Sequence, residues 1–124
     1  KPVRDFKNVI IEQRFLSQGE IAEIHKDYGV FLCPSRMDTQ GVSRDEAMSS
    51  GLVPVTSDVA AIPEFLPIKQ LRALADDHSS LKEIIVSIYQ KPDEFEALSL
   101  NVSSEVKNKR SLIHIIEREV SLFK

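Results

Sequence analysis

Asp38, Gly41 and Glu46 lie within one short segment, DTQGVSRDEAMSSGLVP, at residues 38–54. A carboxylate ahead of a lone glycine, with a second carboxylate eight positions after the first, suits an anionic ligand rich in hydroxyls. Gly41 has no Cβ and lets the backbone approach a ligand closely. If a helix begins there, the unpaired N–H groups of Val42, Ser43 and Arg44 attract a phosphate through the positive end of the helix dipole. The carboxylates accept hydrogen bonds from sugar hydroxyls. Asp38, in a loop, and Glu46, a turn into the helix, cannot sit side by side. They would flank the helix start and hold two parts of one elongated ligand. The same spacing also fits a plainer reading, in which Asp38 caps a turn and Glu46 is solvated. Ser43 either donates to a phosphate or caps its own helix, and Arg44 and Asp45 read as surface residues.

The elements that must position these residues alternate between strand and helix patterns. NVIIEQ (8–13) is a short β-branched apolar run and reads as a buried strand. Ser17 and Glu20 form a capping-box signature, followed by Ile21, Ile24 and Tyr28 at helical spacing and closed by Gly29, a helix of about three turns. GVFLCP (29–34) is a second strand, and the loop SRMDTQG leads into a helix from about Val42 to Ser50 with Gly51 as its stop. LVPVTSD (52–58) is a third strand, VAAIPEFLP a one-turn helix or turn, and LRALA (71–75) a weaker strand. A helix capped by Ser79 or Ser80 then carries Leu81, Ile84, Ile85 and Ile88 on one face. Pro92 starts another through about Lys107, and Ser111 caps a last one bearing Leu112, Ile115, Ile116, Val120 and Phe123. This alternation predicts βαβ units and a mostly parallel sheet. Ligands in such sheets lie outside the carboxyl ends of the strands, where Asp38 to Glu46 falls.

A chain of 124 residues is one domain at most and can bury roughly two thirds of its unfolded surface. Its net charge of -3 supplies no basic field for a nucleic-acid backbone, so no nucleic-acid partner is expected. Lys107, Lys109 and Arg110 read as a solvated helix end. The single cysteine, Cys33, excludes an internal disulfide and reads as a buried structural thiol, in keeping with a reducing compartment. No apolar run approaches the roughly 18 residues of a membrane span, and the first ten residues lack a signal-peptide core. The expected location is cytoplasmic. His25, His78 and His114 lack metal-ligand spacing, and no metal site is expected. Neither a nucleophile-base constellation nor a Walker or GxGxxG loop occurs.

The stretch GVFLCPSRMDTQGVSRDEAMSSGLVPVTSDVAAIPEFL resembles the C-terminal lobe of GT-B glycosyltransferases of family 4. The elements that match in register are Pro34-Ser35, Asp38, Gly41, Glu46-Ala47-Met48, Gly51 and Pro54-Val55. The preceding strand and helix and the closing helices are also similar to that family. The resemblance implies an α/β fold, a Rossmann-like parallel sheet with flanking helices, forming over residues 1–124 a partial C-terminal lobe that is incomplete on its N-terminal side. By position, Asp38 takes the place of the first acid of the family's acid-x7-acid motif, the catalytic-site residue that bonds hydroxyls of the donor sugar. Glu46 takes the second, on the nucleotide ribose. Gly41 and Val42 offer amides to the sugar and distal phosphate, with Ser43 beside them.

The resemblance further implies a retaining transfer from a nucleoside-diphosphate sugar, with no metal and no cofactor beyond that donor substrate. It implies polysaccharide or glycoconjugate synthesis, with a glycan or lipid-linked acceptor held by a missing N-terminal lobe. The parent enzyme would associate peripherally with the inner face of the cytoplasmic membrane. Three departures stand out: Asp38 is one methylene shorter than the usual glutamate, Gln40 replaces a common aromatic, and Ser43-Arg44-Asp45 replaces apolar residues. The phosphate-binding Arg and Lys of the family lie upstream of this chain, so the isolated fragment is expected to be inactive. One alternative is a non-catalytic sugar-nucleotide-binding or regulatory module. Others are another GT-B member, such as an epimerase or phosphorylase, and a receiver-type signalling domain, whose acidic pair after the first strand is missing.

Overall fold

The computed structural model describes residues 2–38 and 41–123. Two short, mainly apolar runs supply most of its sheet. Val30–Cys33 forms β1 and Val53–Ser57 forms β2, paired in parallel from Val30 with Val53 to Cys33 with Thr56. β3 is Arg72–Ala73, parallel to Thr56 and Ser57 of β2. The order β1-β2-β3 makes chain neighbours into sheet neighbours, so each connection is a crossover. The fold is an α/β partial Rossmann-like sheet with flanking helices.

β2 is central and buried at every position, as a parallel strand covered on both faces must be. It nonetheless contains Pro54. The N–H of Val53 donates toward β1, to the Gly29 carbonyl at 2.8 Å, and that of Asp58 donates toward β3, to Ala73 at 2.6 Å. Donors alternate sides along a strand. The one Pro54 lacks therefore falls on the β3 side, where pairing begins only at Thr56, and no ladder bond is lost.

The helices are α1 (Gln18–His25), α2 (Val42–Ser49), α3 (Ile62–Phe65), α4 (His78–Gln90), α5 (Pro92–Arg110) and α6 (Leu112–Leu122), with 3-10 turns at Pro2–Asp5 and Lys69–Leu71. α2 ends because Gly51 takes a left-handed φ of 88°. There the N–H of Gly51 bonds Met48 at 2.9 Å and that of Leu52 bonds Ala47 at 3.0 Å, which satisfies two of the last carbonyls. Met48 of α2 meets Val53 and Val55 of β2, Ile62 and Leu66 around α3, Leu81 and Ile88 of α4 and Val102 and Val106 of α5 in one core cluster. Ile84 and Ile85 pack against it, completing the expected apolar face of α4.

Several boundaries differ from the sequence reading. Residues 8–13 are not a strand; the segment is irregular and Ile10 is 76% exposed. A strand exists only through ladder bonds to a neighbour, and β1 pairs with β2 alone among the described residues. α1 is two turns rather than three, and Tyr28 lies beyond it. The N–H groups of Lys26, Asp27 and Tyr28 each bond three residues back, the tight pattern that unwinds a helix end. The Ser17–Glu20 capping box is present. α4 is capped by Asp77, not by Ser79 or Ser80, and Ser80 instead donates to both Asp77 oxygens, from N–H at 3.0 Å and from its hydroxyl at 2.6 Å. α5 runs on to Arg110, one residue short of the Ser111 cap of α6. The apolar residues that α6 carries, Leu112, Ile115, Ile116, Val120 and Phe123, are all exposed. Cys33 is half-buried rather than buried, its Sγ 3.2 Å from the Ser35 hydroxyl.

Two cap carboxylates tie stability to pH. The Ser17 N–H, followed by Arg14 and the Ser17 hydroxyl, lowers Glu20 from its usual 4.5. The Ser80 hydroxyl and then its N–H lower Asp77 from 3.8. A lowered value means that the folded state holds the ionised form, so this stabilisation is complete above the usual values and is lost as pH falls through the lowered ones. Thermal melts between about pH 7 and pH 3 should therefore show an acid loss that Asp77→Asn, which caps without titrating, makes shallower. In the core, Leu66→Ala should cost about 2–5 kcal/mol, read as a lower urea midpoint.

Candidate functional site

A strand-to-helix turn carries the candidate residues. β1 ends at Cys33, and Pro34 to Asp38 run from it toward α2, which starts at Val42. Thr39 and Gln40, the latter expected to stand in for an aromatic, lie outside the described residues. Gly41 is the N-cap of α2 at φ 71° and ψ 52°, a left-handed conformation that costs a residue with a Cβ roughly 1–2 kcal/mol. Its carbonyl receives the first helical bond, from the N–H of Asp45 at 3.0 Å.

A glycine cap brings no side-chain acceptor, and α2 has no side-chain cap bond. Among the described residues, nothing accepts from the N–H of Val42 or Ser43, and the Ser43 hydroxyl is also unbonded. Ser43 does not cap its own helix. Both residues are exposed, so the first turn presents donors and a positive dipole end to solvent, the arrangement that binds anions.

The two acids occupy different surroundings. Glu46 is half-buried, and its carboxylate has no partner among the described residues. It separates two hollows. One, of about 390 Å³, is shared with Val42, Asp45, Phe65, Lys109, Arg110 and Ile115; the other, of about 290 Å³, lies against Gln18, Ala22 and His25 of α1. Asp38 is also half-buried and unpartnered among the described residues but lines neither hollow. The structure thus brings Val42 and Glu46 to one concavity and leaves Asp38 on the loop before it.

Arg44 and Asp45 are not surface residues. Arg44 is 1% exposed, and its guanidinium packs against Gly41 so closely that a Cβ there would lie 2.7 Å from Nη1. Asp45 Oδ1 accepts from Arg44 Nη2 at 3.3 Å and from Arg110 Nη1 at 2.5 Å. Arg110, read from sequence as a solvated helix end, also donates through Nη2 to the Phe65 carbonyl. Both guanidinium carbons lie over the Phe65 ring, at 5.4 and 5.1 Å from its centroid, within cation-π range. The signal for this cluster was periodicity. Arg44 shares the helical stripe of the buried Ala47 and Met48, and Arg110 follows Leu98, Val102 and Val106 at steps of four.

The histidines do not converge. His25 Nδ1 lies 3.1 Å from the Ser50 hydroxyl, and no group of three or more His, Cys, Asp or Glu among the described residues could hold a metal ion. No helix among those residues is long and apolar enough to cross a membrane.

The family model described as glycosyl transferases group 1 matches residues 3–91. No curated protein and no solved structure matches the chain significantly.

Gly41→Ala should destabilise the fold by roughly 1–3 kcal/mol, from the left-handed φ and from displacement of a buried guanidinium. Urea unfolding would measure it, with Gly19→Ala as the contrast, since a Cβ at Gly19 meets nothing within 4 Å.

Proposed function

The chain belongs to the group 1 glycosyl transferases, and from that premise we propose that residues 1–124 are the nucleotide-sugar-binding part of the C-terminal lobe of a retaining enzyme. Its role is in glycosyl transfer, between a sugar donor and an acceptor. The donor in this reading is a nucleoside-diphosphate sugar and the acceptor a glycan or lipid-linked glycan held by another lobe. The parent enzyme works in polysaccharide or glycoconjugate synthesis in the cytoplasm, at the inner face of the membrane.

The observation that carries the donor reading is the helix start at Gly41, whose Val42 and Ser43 amides have no acceptor among the described residues. In the proposed mechanism these donors and the helix dipole stabilise negative charge growing on the leaving diphosphate, an effect that strengthens as the bond to the sugar breaks. Asp38 bonds the sugar hydroxyls and fixes the anomeric carbon against the acceptor. Glu46 accepts from the ribose hydroxyls beside the hollow it lines. Their task is orientation, which contributes by holding the reacting atoms in place.

The reading of the chain as part of a lobe is supported by the sheet. In a doubly wound sheet of order 3-2-1-4-5-6, strands 4, 5 and 6 are sequential neighbours, as β1, β2 and β3 are. The strand before them, number three, lies at the far edge, separated by strands one and two. On that assignment residues 8–13, irregular here, hold the place of strand three, whose neighbour in that order is strand two.

In the intact enzyme, Glu46→Gln should weaken donor binding by about ten-fold or more, the worth of a charge-assisted bond. Asp38→Ala should chiefly lower kcat. Calorimetry with a panel of UDP-, GDP-, ADP- and dTDP-sugars and a sugar-transfer assay would check both, and donor affinity and rate unchanged in both variants would refute the assignment. The 124-residue chain by itself should bind these sugars weakly or not at all, so micromolar affinity in the same calorimeter would contradict the lobe-fragment reading.

A further inference from the structure

We propose that Arg110, in the last turn of α5, is a positioning residue that sets the start of α2 by acting through Asp45; this rests on the donor reading of that helix start. Asp45 has two roles in one residue. Its N–H closes the first turn of α2 on the Gly41 carbonyl at 3.0 Å, and its Oδ1 is held by Arg110 Nη1 at 2.5 Å and Arg44 Nη2 at 3.3 Å. A shift of the carboxylate therefore moves the turn that presents the Val42 and Ser43 amides.

Arg110 is the member that reaches from outside. It comes from 65 positions away in the chain, and its second fork nitrogen is fixed on the Phe65 carbonyl at the end of α3. One planar guanidinium thus ties three elements, with the Phe65 ring beneath it and beneath Arg44. A lysine could keep the charge but not the fork, since its ammonium is a point charge on a flexible stem. Arg44 fills the space against Gly41, so the glycine turn is confined from below while Asp45 is held from the side. Surface ion pairs contribute little. This one is only 16% exposed on each partner, and removing a partner from such a pair leaves a charge without compensation.

The test uses the intact enzyme with the same nucleotide-sugar panel as donor probes. Arg110→Met should lower kcat/KM at least ten-fold, and Arg110→Lys should recover part of that loss. Asp45→Asn should lower it at least as much, with the double variant Asp45→Asn/Arg110→Met little worse than Asp45→Asn alone, because the Arg110 linkage is already broken there. Val102→Ala, which loosens α5 by apolar truncation at a fully buried position, should lower the melting temperature and leave kcat/KM within two-fold. Arg110 variants that lose melting temperature like Val102→Ala while keeping wild-type kcat/KM would overturn the proposal, as would additive losses in the double variant. If Glu46→Gln and Asp38→Ala also leave donor kinetics unchanged, or no donor turns over, the donor reading itself fails and the proposal with it. Loss in the Glu46 and Asp38 variants but not in those of Arg110 would refute the positioning role alone.

Discussion

A guanidinium that is 1% exposed is the constraint around which this part of the fold is arranged. Burying a charge is costly unless it is paired and hydrogen-bonded. Arg44 sits on the inward stripe of α2, so the charge cannot turn to solvent without turning the helix. What surrounds it follows from that requirement: the adjacent Asp45 carboxylate at 3.3 Å, the face of Phe65, and a backbone stripped of Cβ at Gly41. One carboxylate then faces two cations, and Arg110 takes the Phe65 carbonyl as its second acceptor. An apolar residue at position 44 would pack the same core without specifying any of these partners. The polar version requires α2, α3 and the end of α5 to meet in one geometry.

The sheet and most helix limits were legible in the sequence because their signals are local. Gly51 stops α2 through a positive φ, Ser17 with Glu20 caps α1, and Ser111 caps α6. Each of these depends on residues within one turn. The segment at 8–13 was misread for the complementary reason. Its β-branched composition is a strand preference, but a strand needs a partner, and pairing is not encoded in the segment that pairs. The cap of α4 shows a finer failure of the same kind: Asp77 and Ser80 are both good cap residues, and only the fold decides that Asp77 accepts while Ser80 donates to it.

At the site, what sequence could supply was the identity of the backbone positions. Gly41 at a helix start and the two acids around it follow from residue type and spacing, and all three are found where a strand hands over to a helix. The Arg44, Asp45 and Arg110 cluster is not evident from residue type, since charged side chains are mostly exposed. Periodicity pointed the other way, with Arg44 in phase with Ala47 and Met48 and Arg110 in phase with Val102 and Val106. Where hydropathy and phase disagree, a partner on another element decides, and here that partner is separated by 65 positions.

The distribution of burial also shows how α2 is held. Exposed apolar side chains occur along the whole chain, from Phe6, Ile10 and Phe15 through Met37, Leu74 and Tyr89 to Leu112, Ile113 and Phe123. Between them, β2 is buried throughout and α2 lies against β1, β2 and α5. Gly41 thus begins a helix whose inner face, Arg44, Ala47 and Met48, is buried. The orientation of α2 is set by its contacts with β1, β2 and α5 and, through Arg44, with the Phe65 ring. In the proposed donor reading, amides held that way stay aimed without help from the ligand, which is the condition for acting more strongly on developing charge than on the ground state.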